Sequence, residues 1–289
     1  MLAVSALLAA CSTDDEFAQF ELEEAQPPAV ERRAGSVLVE YNPSTSNGVS
    51  VHAQFLDVRG VSLEAAFDAL DVWTPDPELD IDSCSIRVPP PSNEEVEDVR
   101  LHMLDVGPIA VSALDHSIRL EGRRVPDLRT FSGVVYGNEG GFDFDEAFLP
   151  YEAEAPYSIF ASGGADAGGF DVTLRAPSVP EIEAVAGRYA VDDAPIELRG
   201  GDLELQWSVG EPYAALYLDV AGPGVPRVRC RLEDDGDFVV PGSIISQVSA
   251  ADSLLHITLR RVNRSSFGIV GVDDSSFVFA TADDVNVRP

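Results

Sequence analysis

The chain has 289 residues, 45% of them hydrophobic, so its length predicts two domains and its composition excludes wholesale disorder. It contains 50 acidic residues against 19 basic ones, all of them arginine, and its net charge is −31. Such a surface repels phosphate backbones and anionic lipid headgroups, which excludes nucleic-acid binding or membrane docking through a basic face.

Residues 1–10 form an apolar run that ends in small residues, as in the hydrophobic region and cleavage site of a signal peptide. A spanning helix needs about 20 apolar residues, so this run does not predict a membrane span. The tetrapeptide Leu-Ala-Ala-Cys that ends at Cys11 resembles the lipobox of bacterial lipoproteins, in which the cysteine receives acyl chains. The resemblance implies a lipid anchor at Cys11, and the serine that follows implies the outer membrane.

The residues around this motif refine the expectation. No basic residue precedes the apolar run, so we expect the true translation start to lie upstream. An alternative is that residues 1–11 form a buried strand or helix with Cys11 as a core cysteine. Residues 11–34 are acidic, rich in proline and unpatterned, which favours the lipoprotein interpretation and predicts a solvated tether.

Residues 35–177 are predicted to form an all-β domain. Apolar and polar residues alternate over 49–55, which is typical of a half-buried antiparallel strand. Ser62 can cap a helix over 62–70, the only helix predicted in this half. Further strands are predicted over 36–41, 79–88, 99–104, 117–121, 130–136, 156–161 and 170–175.

Residues 176–180 contain two prolines and predict a linker, so a second domain is expected over 178–289. Residues 202–207, with alternating leucine and a tryptophan before a turn, resemble an early core strand of immunoglobulin-like and fibronectin type III modules. The resemblance implies two antiparallel β-sandwich domains in tandem. The other predicted strands of this half cover 214–220, 225–232, 238–240, 254–262 and 276–281, and a short helix is predicted over 243–249.

Two cysteines remain if Cys11 is lipidated. In an oxidising compartment, Cys84 and Cys230 could form a disulfide across the domain boundary. The alternative, slightly favoured by the sequence, is two separately buried thiols, because both cysteines lie within strand patterns and a bridge requires those strands to meet.

Carboxylates are the only abundant reactive groups. The four histidines are scattered singly, no cysteine pair has ligand spacing, and the lack of lysine excludes a phosphate-binding P-loop. Two sets of carboxylates offer the oxygen ligands that calcium takes. One, alternating along a predicted strand, is Asp76, Asp80 and Asp82; the other, in a glycine-rich loop, is Asp143 and Asp145. With 50 acidic residues in the chain, a solvated acidic face explains either set as well or better.

Three aromatic residues are candidate contact residues. Trp73 precedes a proline in a loop-like region, where an exposed indole could stack on a sugar or a partner side chain. Phe142 and Phe144 lie in the glycine-rich loop. The alternative is that these aromatic side chains anchor their loops onto the sandwich.

These features together predict a lipid-anchored, exported protein that acts as a non-catalytic binding, adhesion or structural module. The sequence predicts no firm cofactor, and it leaves open whether the ligand is a protein or a carbohydrate. The alternatives are a hydrolase that uses carboxylates or calcium, and an adhesin stabilised by calcium.

Overall fold

The computed structural model describes residues 31–44, 48–70, 72–87, 100–127, 131–138, 149–189, 195–198, 201–222, 227–248 and 254–289. In these ranges the chain consists of strands and two short helices, which confirms the predicted all-β class. The strands are β1 (Arg32–Tyr41), β2 (Ser50–Arg59), β3 (Ser83–Arg87), β4 (Arg100–Met103), β5 (Ile109–Ala113), β6 (His116–Leu120), β7 (Arg123–Val125), β8 (Phe131–Gly137), β9 (Pro156–Gly163), β10 (Gly168–Arg175), β11 (Ile182–Val185), β12 (Arg188–Tyr189), β13 (Ile196–Glu197), β14 (Leu203–Trp207), β15 (Ala215–Ala221), β16 (Arg227–Leu232), β17 (Asp237–Val240), β18 (Leu255–Ser266) and β19 (Asp274–Arg288). The helices are α1 (Leu63–Ala69) and α2 (Gly242–Val248).

One sheet of eleven strands runs through the molecule in the order β3-β16-β15-β18-β19-β1-β2-β4-β8-β7, with β13 pairing to β19. The sheet is mixed, because β1 pairs with β19 in parallel and β4 pairs with β8 in parallel. The 15-residue β19 lies near its centre and pairs along its length with β18. Strands from both sides of residue 177 therefore belong to the same sheet.

Two smaller antiparallel sheets cover one face of this large sheet. The sheet β10-β9-β5-β6 packs on β1, β2 and the first part of β19 through a core that includes Phe55, Tyr157 and Phe279. The sheet β12-β11-β14-β17 packs on β15, β16 and β18 through a second core that includes Trp207 and Leu218. The arrangement is that of layered β-sheets, as predicted. The first core takes Phe277 and Phe279 from beyond residue 177, and the large sheet also crosses that point, so the division into domains 35–177 and 178–289 stays a prediction.

A buried arginine fastens the expected linker, which contains no helix or strand over 176–180, to the second half of the chain. Arg261 on β18 is fully buried, and its Nε donates to Asp234 Oδ2 at 2.7 Å. Its Nη1 donates to Ser178 Oγ at 2.8 Å, and its Nη2 donates to the Ser208 carbonyl at 2.6 Å. The guanidinium thus ties the linker to both the second core and the large sheet.

The opposite face of the large sheet, called the outer face here, carries helix α1 and the irregular segment after it. Ser62 caps α1 as predicted, and its Oγ accepts a hydrogen bond from the Ala65 amide at 3.1 Å. A helix of seven residues is marginal in isolation, so its stability comes from packing. The buried Ala66 and Phe67 provide this packing against Leu56 and Met103 of the sheet.

Candidate functional site

A cleft of about 730 Å³ lies on the outer face, between the strands of the large sheet and the segment that follows α1. Strands β1, β2, β3, β15, β16, β18 and β19 all contribute lining side chains. We call it the outer-face cleft. Its charged walls include four of the chain's 19 arginines, Arg87, Arg227, Arg229 and Arg260.

A row of polar side chains crosses the strands beside this cleft. The row has five members. Each lies directly opposite the next in the strand-pairing register, so all five side chains point to the same face of the sheet. In strand order from β3 to β19, the row is Ser85, Arg229, Asp219, Thr258 and Asp284. The row combines residues that are far apart in the chain.

Asp219 is the centre of a buried ion network in the row. Arg229 donates from Nε to Asp219 Oδ1 at 2.7 Å, and Arg260 donates from Nη1 to Asp219 Oδ2 at 2.9 Å. Burial alone would raise the pKa of the Asp219 carboxyl, but the two guanidinium charges outweigh burial and lower it. The carboxylate therefore stays ionised and holds both arginines in place.

Trp73 forms part of the cleft wall, and its environment corrects the expectation of an exposed indole. The residue is only 9% exposed, and its Nε1 donates to Asp219 Oδ2 at 2.8 Å. The guanidinium carbons of Arg229 and Arg260 lie 4.8 and 5.4 Å from its ring centroid, within cation–π distance. Tyr217 packs edge-on against it, with centroids 5.6 Å apart. The indole anchors its loop to the sheet, which is the alternative that the sequence left open.

Arg87, at the end of β3, ties the loop before that strand to the cleft rim. Its Nη2 donates to Asp76 Oδ2 at 3.0 Å, and its Nη1 lies 3.2 Å from Glu64 Oε1 on α1. The register places Arg87 directly opposite Arg227 on β16. Arg227 is exposed and makes no hydrogen bond or ion pair with any described residue.

The carboxylates expected to alternate along a strand lie in turns instead, because β3 begins only at Ser83. Asp76 pairs with Arg87, whereas Asp82 Oδ1 accepts a hydrogen bond from the Glu233 amide at 2.9 Å. The Asp80 carbonyl accepts from Ser83 Oγ at 2.6 Å. Within the described ranges, no group of three or more histidine, cysteine or acidic side chains is placed to hold a metal ion. A calcium ion therefore stays a prediction from the sequence alone.

His256 and Asp284 form an ion pair at one end of the row. His256 Nε2 lies 3.3 Å from Asp284 Oδ1, and Asn42 Nδ2 donates to Asp284 Oδ2. The hydrogen bond to Asp284 raises the pKa of His256, although burial opposes the shift. Burial also works to raise the pKa of Asp284, but the hydrogen bonds from His256, Thr258 and Asn42 lower it.

Cys84 and Cys230 are joined by a disulfide in the structure, across a separation of 146 residues. They face each other in the β3–β16 register, one residue from Ser85 and Arg229 of the polar row. The bridge thus fastens the edge strand that carries Arg87 to the rest of the sheet.

Several predicted site residues lie outside the described ranges: Cys11, Phe142, Phe144, Asp143 and Asp145. Sequence reasoning also missed the cleft network itself. Two signals could have suggested it: Asp219 interrupts an otherwise apolar strand, and Arg227, Arg229 and Arg231 alternate along β16. Both patterns indicate a charged row on one face of a sheet.

None of the described helices is long and apolar enough to span a membrane. No protein-family model matches the chain, and no curated protein matches it with significant similarity.

Proposed function

We propose that the protein is an exported, lipid-anchored binding module that holds a polar ligand in the outer-face cleft without changing it chemically. The observation that carries this proposal is the cleft itself, whose volume of about 730 Å³ is in the range of ligand sites. Its lining is largely polar and charged, which favours a polar ligand over an apolar one.

The cleft walls are held in place before any ligand arrives. Arg229, only 2% exposed, makes two hydrogen bonds with Asp219, and its Nη1 donates to the Thr74 carbonyl at 2.6 Å. The disulfide and the Arg87 ion pairs fix the rim in addition. A site that is already ordered loses little conformational freedom on binding, which favours affinity.

The ionisation of the cleft carboxylates favours binding over acid-catalysed hydrolysis. A general acid must hold a proton near neutral pH, so its pKa has to be raised. The pKa values of Asp219 and Asp284 are both lowered by their basic and hydrogen-bonding partners. Carboxylates with lowered pKa values are suited to holding arginine and histidine side chains in position.

Export is supported by the disulfide, because such bonds persist in oxidising compartments and are rare in the cytosol. We propose that acyl chains on Cys11 anchor the protein in the outer membrane and that residues 11–34 act as the tether. Replacing Cys11 with serine should release the protein from the membrane fraction, and mass spectrometry of the membrane-bound wild type should find acyl groups on Cys11. Attachment of the C11S variant to membranes would refute the anchor.

Binding in the cleft is tested by measuring thermal stabilisation with a defined panel of sugars, oligosaccharides, amino acids and short peptides. Because a ligand stabilises the state that binds it, a true ligand raises the Tm in a concentration-dependent way. The Ala221→Trp variant places an indole in the cleft and should abolish the shift. The matched Ala110→Trp variant, on the outward side of β5, should retain it. A panel with no stabilising compound, or a shift that A221W retains, would contradict the proposal, as would chemical conversion of the ligand.

A further inference from the structure

We infer that the ligand of the outer-face cleft is an elongated, hydroxyl-rich anion, namely an acidic oligosaccharide that carries carboxylates. This inference rests on the proposed binding function and specifies the chemical class of the ligand. Three observations carry it: one uncompensated cation, two buried polar atoms without hydrogen bonds, and the distance that separates these groups.

The uncompensated cation is Arg227. Among the described residues that line the cleft, each carboxylate has a basic partner. The pairs are Asp68 with Arg87, Glu40 with Arg260, Asp284 with His256, and Asp219 with Arg229 and Arg260. Arg227 has no such partner among the residues that the structure describes. Arg87 lies opposite Arg227 in the strand register, but its charge is already paired with Asp76, Glu64 and Asp68. Arg227 is therefore the guanidinium left for a ligand, and a carboxylate bound there forms a charge-assisted, bidentate hydrogen bond.

The two buried atoms are suited to a ligand that both donates and accepts hydrogen bonds. Gln54 Oε1 is an acceptor and Arg260 Nε is a donor, and both are buried without a hydrogen bond in the structure. Glu40 Oε1 lies 3.8 Å from Arg260 Nε, which is beyond hydrogen-bond distance. A simple anion offers acceptors only, whereas a sugar hydroxyl donates and accepts. The pair therefore favours a polyhydroxylated ligand.

The spacing of these groups requires an elongated ligand. Gln54 lies on β2 and Arg227 on β16, five strand positions apart in the sheet order. At the usual spacing between strands, this separation is roughly 24 Å across the sheet. A ligand that contacts both groups is therefore longer than a disaccharide. The net charge of −31 repels an anion at long range, but salt screens this repulsion beyond about 8 Å. At the site itself, the attraction of the nearby Arg227 therefore outweighs the net charge.

An extended acidic peptide is the main competitor for this cleft, and the structure favours the sugar. Peptides that bind to sheets gain most of their affinity by adding a strand to a free edge. The cleft lies instead on a sheet face, where the backbone groups of β15, β18 and β19 already pair with their neighbours. Only side chains remain to hold the ligand.

The test compares pentasaccharides of galacturonic, mannuronic and glucuronic acid with their methyl esters, by calorimetric titration of the full chain. At least one acid should bind about tenfold or more tightly than its ester, as expected for a hydrogen-bonded charge pair. The Arg227→Gln variant should reduce binding of the acid to the level of the ester and leave binding of the ester unchanged. Arg123→Gln, an exposed arginine on β7 outside the cleft, is the control and should change neither.

The remaining outcomes separate this inference from the proposed function. If the acids and their esters bind equally tightly, or if R227Q weakens the binding of both equally, Arg227 does not bind a carboxylate of the ligand. If hexaglutamate binds and none of the uronate pentasaccharides does, the ligand is not a sugar, while the proposed binding function still holds. If no uronate binds but a neutral compound stabilises the wild type and not A221W, the inference fails alone. If no compound of either series binds in the cleft, both fail.

Discussion

Asp219 and Arg229 face each other across strands β15 and β16 and share two hydrogen bonds, Nε to Oδ1 at 2.7 Å and Nη2 to Oδ2 at 3.2 Å. Both side chains are almost fully buried, and Arg260 and Trp73 donate to the same carboxylate. The outer face of a sheet would ordinarily contact solvent. Here it carries a buried ionic centre that fixes the walls of a cleft.

Replacing Asp219 with asparagine keeps the shape of the side chain but removes its charge. Because Arg229 then remains buried without a counter-ion, the free energy of unfolding should fall by about 3 to 5 kcal/mol. Urea denaturation of D219N against the wild type measures this loss. Asp171→Asn, at an exposed position on β10, is the matched control and should change stability by less than about 0.5 kcal/mol. Equal stability of D219N and the wild type would show that the network does not hold the fold.

The lowered pKa of Asp219 also predicts acid sensitivity. A carboxyl whose folded pKa lies below its unfolded value stabilises the fold above the unfolded value and loses this contribution as the pH falls through the folded pKa. The stability difference between the wild type and D219N should therefore be constant near neutral pH and shrink below about pH 4. Denaturation curves at a series of pH values test this, and a difference that grows on acidification would contradict it.

The raised pKa of His256 predicts a pH dependence of stability opposite in sign to that of Asp219. Its pKa is raised above the ordinary value of 6.5, so its ion pair with Asp284 stabilises the fold at low pH and is lost as the pH rises through the folded pKa. The Tm difference between the wild type and His256→Gln should decrease from pH 5.5 to pH 8.5. The exposed His116 on β6 provides the control for loss of an imidazole, and H116Q should change the Tm only slightly. A pH-independent difference for H256Q would count against the ion pair.

The disulfide should contribute strongly to the free energy of unfolding. Removing a bridge between Cys84 and Cys230 frees a loop of 146 residues in the unfolded chain, which should cost about 4 to 5 kcal/mol by loop entropy. The paired C84A and C230A substitutions should lower the urea midpoint accordingly. A reducing agent should lower the midpoint of the wild type and leave that of the double variant unchanged. If reduction affects both proteins equally, the bridge is not the cause.

The fold was largely predictable because its local signals are strong. Alternation along β2 and the Ser62 cap of α1 were both read correctly from adjacent residues. The short β5 was missed although it alternates, because a glycine and a proline precede it and suggest a loop. The predicted strand over 79–88 began too early, since Asp82 adopts a φ of 58°, which a continuous strand does not accommodate.

The cleft was not predictable for a different reason. Asp219, Thr258 and Asp284 become neighbours only through the pairing of β15, β18 and β19. A sequence shows which face of a strand a residue occupies, but it does not show which strand will lie beside it. The cysteine pair depends on the same information, because the bridge forms only where β3 meets β16.

The most direct test of the central claim uses the two tryptophans of the chain. Trp73 lines the outer-face cleft and Trp207 lies in the second core, so a Trp207→Phe variant leaves Trp73 as the only indole reporter. Its fluorescence should change saturably when an acidic pentasaccharide is added, with the same affinity as calorimetry gives. Ala221→Phe, which fills the cleft without adding a second indole, should abolish that change in this background. A folded W207F variant whose Trp73 emission stays constant while calorimetry records binding would place the ligand elsewhere and contradict the account.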